Sequence, residues 1–251
     1  DDSQVVRDES GHILYKMPAD GYYFDAIYAP LAEISSIQEL DRYSASIEEF
    51  DWPFYADETF SDLGQKARRL YQTTDYALMG CPMLHIYAAG QTLRGFDNFM
   101  MDLVLNPKLA EALMDRLVEA YMRRFATYIE AVGPYVQILQ VSDDLGMQDG
   151  PQLSPELYRK VVKPYHRKLY EFIKSKTDAH LFLHSCGSVY DFIPDFIDLA
   201  IDILNPVQVS ARNMDSARLK REFGRDIVFW GGGCDTQRVL PFGTPKEVKE
   251  E

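Results

Sequence analysis

His180-Leu181-Phe182-Leu183-His184-Ser185-Cys186-Gly187 reads as a short apolar strand that gives way to a polar loop with a glycine at its bend. Residues two apart on a strand share a face, so His184 and Cys186 can aim an imidazole and a thiol at one centre. Nitrogen and sulfur together suit a borderline-soft ion such as zinc. The chain has three cysteines and five histidines, so the pairing uses scarce residue types. His-x-Cys on its own is a short pattern that also arises without a metal; its surroundings decide its weight.

Outward from this stretch the same rhythm repeats. Tyr76-Ala77-Leu78-Met79 is an apolar run ending at Gly80, and residues 106–132 carry apolar side chains at helical spacing behind an Asn-Pro start. Strands are expected at 136–141, 181–183, 201–204 and 227–230. Between them, helices are expected from Ser154 to about Lys176, over 189–199 and over 215–223, with another opening at Thr244-Pro245. Short apolar strands alternating with amphipathic helices predict βα units around a parallel sheet.

Four successive strands end in polar residues: Ser142-Asp143-Asp144, His184-Ser185-Cys186, Asn205-Pro206-Val207-Gln208 and Gly231-Gly232-Gly233-Cys234-Asp235. A (β/α)8 TIM barrel builds its site from loops at the carboxyl ends of its strands, whereas a doubly wound sheet gathers it at one switch point. The expected fold is therefore an α/β barrel over residues 76–251. Residues 1–75 form a turn-rich, aromatic lead-in packed on it, with short helices at 36–43 and 60–71 and turns such as Asp51-Trp52-Pro53-Phe54. The chain starts at Asp1 without methionine and stops inside the helix opened at Thr244, so the barrel is expected to be incomplete at both ends.

Several side chains become candidates. Adjacent carboxylates on a strand point to opposite sides, so only one of Asp143 and Asp144 can face the barrel mouth, as a general acid or as a holder of an N–H-bearing ligand; the alternative is a turn cap. Cys234 follows three glycines. As a third ligand beside His184 and Cys186 it would make the three-residue set with one open position that a catalytic zinc needs, and it reads equally well as a small buried thiol. His85 either lines the pocket or packs among apolar neighbours. Gln148, Asn205, Gln208, Asp235 and Gln237 offer hydrogen bonds to a substrate. His166, mid-helix in a basic segment, is expected to be solvated.

Composition excludes several function classes. Hydrophobic residues make up 46% of the 251 and aromatics 13%, enough for a substantial core. The net charge of −13 argues against nucleic acid, which needs a basic face, and no polybasic patch suits an anionic membrane. No stretch approaches the ~20 apolar residues of a membrane span. Three widely spaced cysteines fit thiols kept reduced in the cytoplasm.

The ordered set of motifs carries a resemblance. His184-Ser185-Cys186-Gly187-Ser188, Asp202-Ile203-Leu204-Asn205-Pro206-Val207-Gln208 and Phe229-Trp230-Gly231-Gly232-Gly233-Cys234-Asp235-Thr236-Gln237 resemble the uroporphyrinogen decarboxylase and corrinoid methyltransferase superfamily. Asp143-Asp144-Leu145-Gly146-Met147-Gln148, Ser154-Pro155-Glu156 and Leu240-Pro241-Phe242-Gly243-Thr244-Pro245 fit as well, so the likeness runs from about residue 90 to the end. It implies a (β/α)8 barrel with its site at the carboxyl mouth. The decarboxylase branch carries an arginine-rich signature, and no Arg-Gln-Ala-Gly-Arg run occurs here. The methyltransferase branch implies zinc on His-x-Cys plus a distant cysteine. His184 and Cys186 match the pair. The distant cysteine would fall beyond the helix that begins near Thr244, so a ligand role for Cys234 rests on chemistry alone.

The resemblance thus implies a zinc enzyme moving a methyl group between a methoxylated compound, alcohol or thiol and a corrinoid (cobalamin) carried by a partner protein. Asp143 or Asp144 would orient the substrate or manage a proton, and the tyrosine-rich lead-in would offer an aromatic wall. Two alternatives stand beside it. One is a porphyrinogen decarboxylase, with Arg94 and Arg212 as the candidates for gripping substrate carboxylates. The other is a non-catalytic barrel, since fold alone does not settle chemistry.

Overall fold

A computed structural model describes residues 2–8, 11–43 and 60–251. The turn segment Asp51-Trp52-Pro53-Phe54 lies outside the described residues. The chain divides into two compact units, one formed by Asp1–Phe50 with Tyr87–Leu117 and the other by Asp51–Ile86 with Val118–Glu251.

The first unit holds a small antiparallel sheet that the sequence did not announce. Strand β1 (Gln4–Arg7) pairs with β2 (Ile13–Met17), which pairs with β3 (Asp25–Ala26). All four β1 residues are exposed, so the alternation of apolar and polar residues that marks a half-buried strand is missing. Helix α1 (Ile37–Leu40) starts where Ser36 accepts a hydrogen bond from the Glu39 N–H, and a 3-10 turn over Asp41–Tyr43 follows, near the expected 36–43. The unit also contains most of α3 (Ile86–Arg94), all of α4 (Phe96–Leu105) and the start of α5 (Pro107–Val132). Arg94 is buried here. Its Nε donates to Asp102 at 2.7 Å, and Nη1 donates to the carbonyls of Leu31, at 2.8 Å, and Ala32.

The second unit begins in helix α2 (Phe60–Thr73) and is organised by five parallel strands in the order β4-β5-β6-β7-β8. These are Met79–Leu84, Ile138–Ser142, His180–His184, Ile203–Asn205 and Val228–Phe229. Among the described residues the sheet is an open run with β4 and β8 at its edges. Leu139, Val141, Leu181, Leu183 and Leu204 are fully buried in it. Helix α5 presents Tyr121, Phe125, Tyr128, Ile129 and Val132 on its buried face, a spacing of three and four that puts them on one stripe. No helix among the described residues is long and apolar enough to cross a membrane.

The helix expected from Ser154 to Lys176 is interrupted. After a capped start at Pro155–Leu157, where Ser154 accepts from the Leu157 N–H, residues Tyr158–Val162 form a π-helical turn before α6 (Lys163–Lys176). Pro164 lacks the N–H that an α-turn would use here, and the Lys163 N–H reaches back to the Tyr158 carbonyl, the widened spacing of a π-turn. Helices α7 (Ile193–Asp198), α8 (Ser216–Phe223), α9 (Val239–Phe242) and α10 (Pro245–Glu250) complete the unit. Asp215 caps α8, and Thr244 with Glu247 forms a full capping box on α10.

Candidate active site

The parallel register sets the site. Ser142 lies opposite His184 and His184 opposite Asn205, so the last residues of β5, β6 and β7 form one row. The Asn205 Nδ2 donates to the Trp230 carbonyl at 3.0 Å, which turns its Oδ1 toward His184 Nδ1 at 2.7 Å. That oxygen only accepts. In the neutral ring the proton therefore sits on Nδ1, and Nε2 keeps its lone pair as an acceptor. Nε2 faces Cys186, with 3.4 Å to Sγ.

A third donor meets them. Asp144, exposed, receives the Cys186 N–H on Oδ1 at 2.8 Å. One ligand atom each from Asp144, His184 and Cys186 lies within 4.8 Å of the others. Burial pushes the Cys186 thiol up to about 11, and the Asp144 charge and hydrogen bond push the same way. Imidazole nitrogen, sulfur and carboxylate oxygen converging on one point, with the histidine oriented from behind by an amide, is a donor set that fits a divalent ion such as zinc.

Backbone contacts hold the loops in place. The Leu145 N–H donates to Ser185 Oγ at 3.2 Å, and the Gly187 N–H donates to Gln208 Oε1 at 3.0 Å. Gln208 in turn donates to Gln148 Oε1 at 2.9 Å, and Gln148 donates to the Ser210 carbonyl. Gly187 has φ +80°, and a Cβ there would meet the Gly146 carbonyl carbon at 2.5 Å. The loops after β5 and β6 therefore touch backbone to backbone. Gly231, at φ +128°, makes a similar approach to the Pro206 carbonyl.

The remaining candidates fall elsewhere. Asn205 serves His184, and Gln148 and Gln208 bind each other and the loops. His85 follows β4, half-buried; its carbonyl accepts from the Tyr121 hydroxyl at 3.1 Å. Cys234 does not join the cluster. Its Sγ lies 3.1 Å from Glu251 Oε2, and Asp235 accepts from the backbone N–H groups of Gln237 and Arg238 as a turn cap. Gln237 is exposed beside it. A cavity of about 560 Å³ lined by Val136, Gln137, Lys176 and His180, among others, sits at the amino-terminal end of β5 and β6, opposite His184.

One buried pairing, of Asp143 with His166, was not legible in the sequence. Asp143 is 1% exposed, and its Oδ2 accepts from the Ile86 N–H and from His166 Nε2, both at 2.8 Å. His166, expected to be solvated, is itself 1% exposed. Its Nδ1 meets the Tyr158 hydroxyl at 3.0 Å, and its ring stacks on Tyr170. Burial first, and then the nearby carboxylates of Asp195 and Asp143, hold the Tyr158 hydroxyl well above its ordinary value. The signal was the apolar stripe rather than the local charge: Leu169, Tyr170 and Ile173 are buried three, four and seven residues beyond His166.

Comparison with known proteins agrees with this geometry at the level of family. The model of the family described as Uroporphyrinogen decarboxylase (URO-D) matches residues 68–251. A solved methyltransferase from Methanosarcina mazei is similar in fold, with a TM-score of 0.56 and 16% identity, covering 88% of this chain and 59% of that one. The chain thus spans 59% of the length of that structure. No curated protein matches.

Proposed function

Because the chain belongs to the uroporphyrinogen decarboxylase family, we propose that its five strands are part of a (β/α)8 barrel and that it is a zinc-dependent methyltransferase. It would move a methyl group between a small methoxylated compound, alcohol or thiol and a corrinoid protein. The observation that carries the reading is the meeting of His184 Nε2 and Cys186 Sγ, 3.4 Å apart, with Asn205 holding the imidazole proton on the far nitrogen.

His184 and Cys186 would hold the ion, which when bound supplies a Lewis acid to the oxygen or sulfur of the methyl-bearing group. The protein's own residues do the rest. Asn205 orients His184, and Trp230, half-exposed beside it, gives an apolar surface backed edge-on by Phe182 at 5.6 Å between ring centroids. Gln208 and Gln148 keep the loop after β6 in place. Asp143, braced by His166, fixes the backbone where β5 ends; its own N–H donates to the His184 carbonyl at 3.0 Å.

Decarboxylation fits less well. That chemistry needs arginines free to bind acidic side chains. Arg94 is buried against Asp102 and two carbonyls, which leaves Arg212 as the remaining candidate.

The test is zinc content and methyl transfer to a corrinoid protein by the purified chain, compared with His184→Ala and Cys186→Ala. Loss of both zinc and transfer in the two variants is expected. An active chain without zinc, or product from uroporphyrinogen instead of methyl transfer, would overturn the reading.

A further inference from the structure

We propose that His166, fixed in place by Tyr158, is a positioning residue that sets how the main chain of both His184 and Cys186 is gripped. The inference rests on the zinc reading above and deepens it, by naming what holds the pair ready for an ion. His166 acts through Asp143, on helix α6 and the end of β5, and not on the ion itself.

The contacts run from the π-turn to the strand end. Asp143 and His166 are each 1% exposed, and the Asp143 carboxylate meets His166 Nε2 at 2.8 Å. An ionised carboxylate only accepts, so in the neutral ring the proton sits on Nε2, and Nδ1 accepts from the Tyr158 hydroxyl at 3.0 Å. Tyr170 stacks on the same ring with the two planes 9° apart. The imidazole is thus held by both nitrogens and by one face. Two regular α-turns take about 7.2 residues, and Tyr158 lies eight before His166. The π-turn at Tyr158–Val162 takes up the surplus residue and lets the hydroxyl meet the ring.

The strand end passes this on to the site. While the Asp143 carboxylate is drawn inward, its N–H donates to the His184 carbonyl at 3.0 Å. Asp144, pointing to the other side, accepts the Cys186 N–H at 2.8 Å. Two consecutive aspartates therefore hold the backbone of the two residues whose side chains would take the ion. Losing the His166 donor weakens what keeps Asp143 inward, and a rotation there moves Asp144 with it. The loop carrying Cys186 is then free to drift from His184.

The experiment uses the full chain and four variants. His166→Leu removes both nitrogens, whereas His166→Gln keeps an amide N–H where Nε2 stood. Tyr158→Phe removes one buried oxygen and keeps the ring. Ile173→Ala truncates a buried residue on the same helix and serves as the control for lost stability alone. Iodoacetamide labelling of Cys186 in the metal-free chain, followed by mass spectrometry of its peptide, reads the loop without a metal. Chelator competition reads zinc affinity. His166→Leu should label Cys186 faster and weaken zinc at least about tenfold, the cost of losing groups behind a ligand. Tyr158→Phe should move both in the same direction, His166→Gln should recover most of the loss, and Ile173→Ala should leave both as in the parent. Unchanged labelling and affinity in His166→Leu and Tyr158→Phe, or equal changes in Ile173→Ala, overturn the assignment and leave the zinc reading intact. A parent chain that takes up no zinc overturns the zinc reading, and the labelling rates then still decide whether His166 holds the Cys186 loop.

Discussion

At the scale of single residues, orientation from behind matters as much as the donors in front. Asn205→Ala removes the acceptor that holds the His184 proton on Nδ1 and should lower zinc affinity about 10- to 100-fold, read by chelator competition. Cys186 gives a pH prediction. Its thiol is raised from an ordinary 9.0 to about 11 by burial, with Asp144 adding to it, so in the metal-free chain the neutral form is the one the fold favours. That contribution to stability is intact below pH 9 and fades as pH climbs toward about 11. Metal uptake at neutral pH must therefore expel the Cys186 proton. Calorimetry of zinc binding in two buffers of different ionisation enthalpy should return about one proton released, and affinity should rise with pH. The buried pair behaves differently. His166→Ala would remove a 2.8 Å donor from a buried carboxylate, that of Asp143, and should cost about 3–5 kcal/mol in urea denaturation. The sequence showed that one of two adjacent aspartates must turn inward. It did not show which partner received it, because the Asp143–His166 contact joins residues 23 apart and periodicity reports only a face, not what that face meets.

Elements that carry their own start signals were readable. Ser36, Ser154, Asp215 and Thr244 cap helices as their residue types require, and the apolar strands β5 to β8 lie within a residue or two of where their runs predicted. Two kinds of element were not readable. The β1–β3 sheet exposes most of both faces and so lacks a period, and the π-turn at Tyr158–Val162 comes from one missing N–H inside an otherwise helical pattern. The loop elements after β5 and β6 make the sharpest test of how the site is assembled. Gly187→Ala places a Cβ 2.5 Å from Gly146 and forces an L side chain to φ +80°. Neither loop can retreat without pulling Asp144 or Cys186 out of line. The substitution should cost on the order of 1–3 kcal/mol and should weaken metal binding as well, measured by denaturation and by chelator competition on the same preparation. An alanine at Gly233, where a Cβ has open space around it, should leave both nearly unchanged.

At the scale of the whole molecule, the parallel arrangement of β5 to β8 was legible because each of those strands ends in a polar loop before a helix, whereas β4 (Met79–Leu84) begins only where the apolar run at 76–79 stops. Closure into a barrel would depend on what pairs with the two edge strands, β4 and β8, which no local pattern encodes. The same long-range character governs the site. Its donors come from the end of β6 and the loops after β5 and β6, and its orienting groups from β7 and from Trp230 after β8, so an ion there would tie two adjacent strand ends directly and two more through the Asn205 hydrogen bonds. An ion that binds only the folded state at 100 times its dissociation constant adds about 2.7 kcal/mol, and that stabilisation acts where the cross-link is. Chelation should therefore act locally before it acts globally. Hydrogen exchange with and without EDTA should show faster exchange in residues 144–148 and 184–188, while β5 and β6 themselves, held by their ladder and buried leucines, keep their protection. Uniform loss across the sheet would mean that the ion supports the core rather than the mouth, and unchanged loops would mean that the three donors are held together by the protein alone.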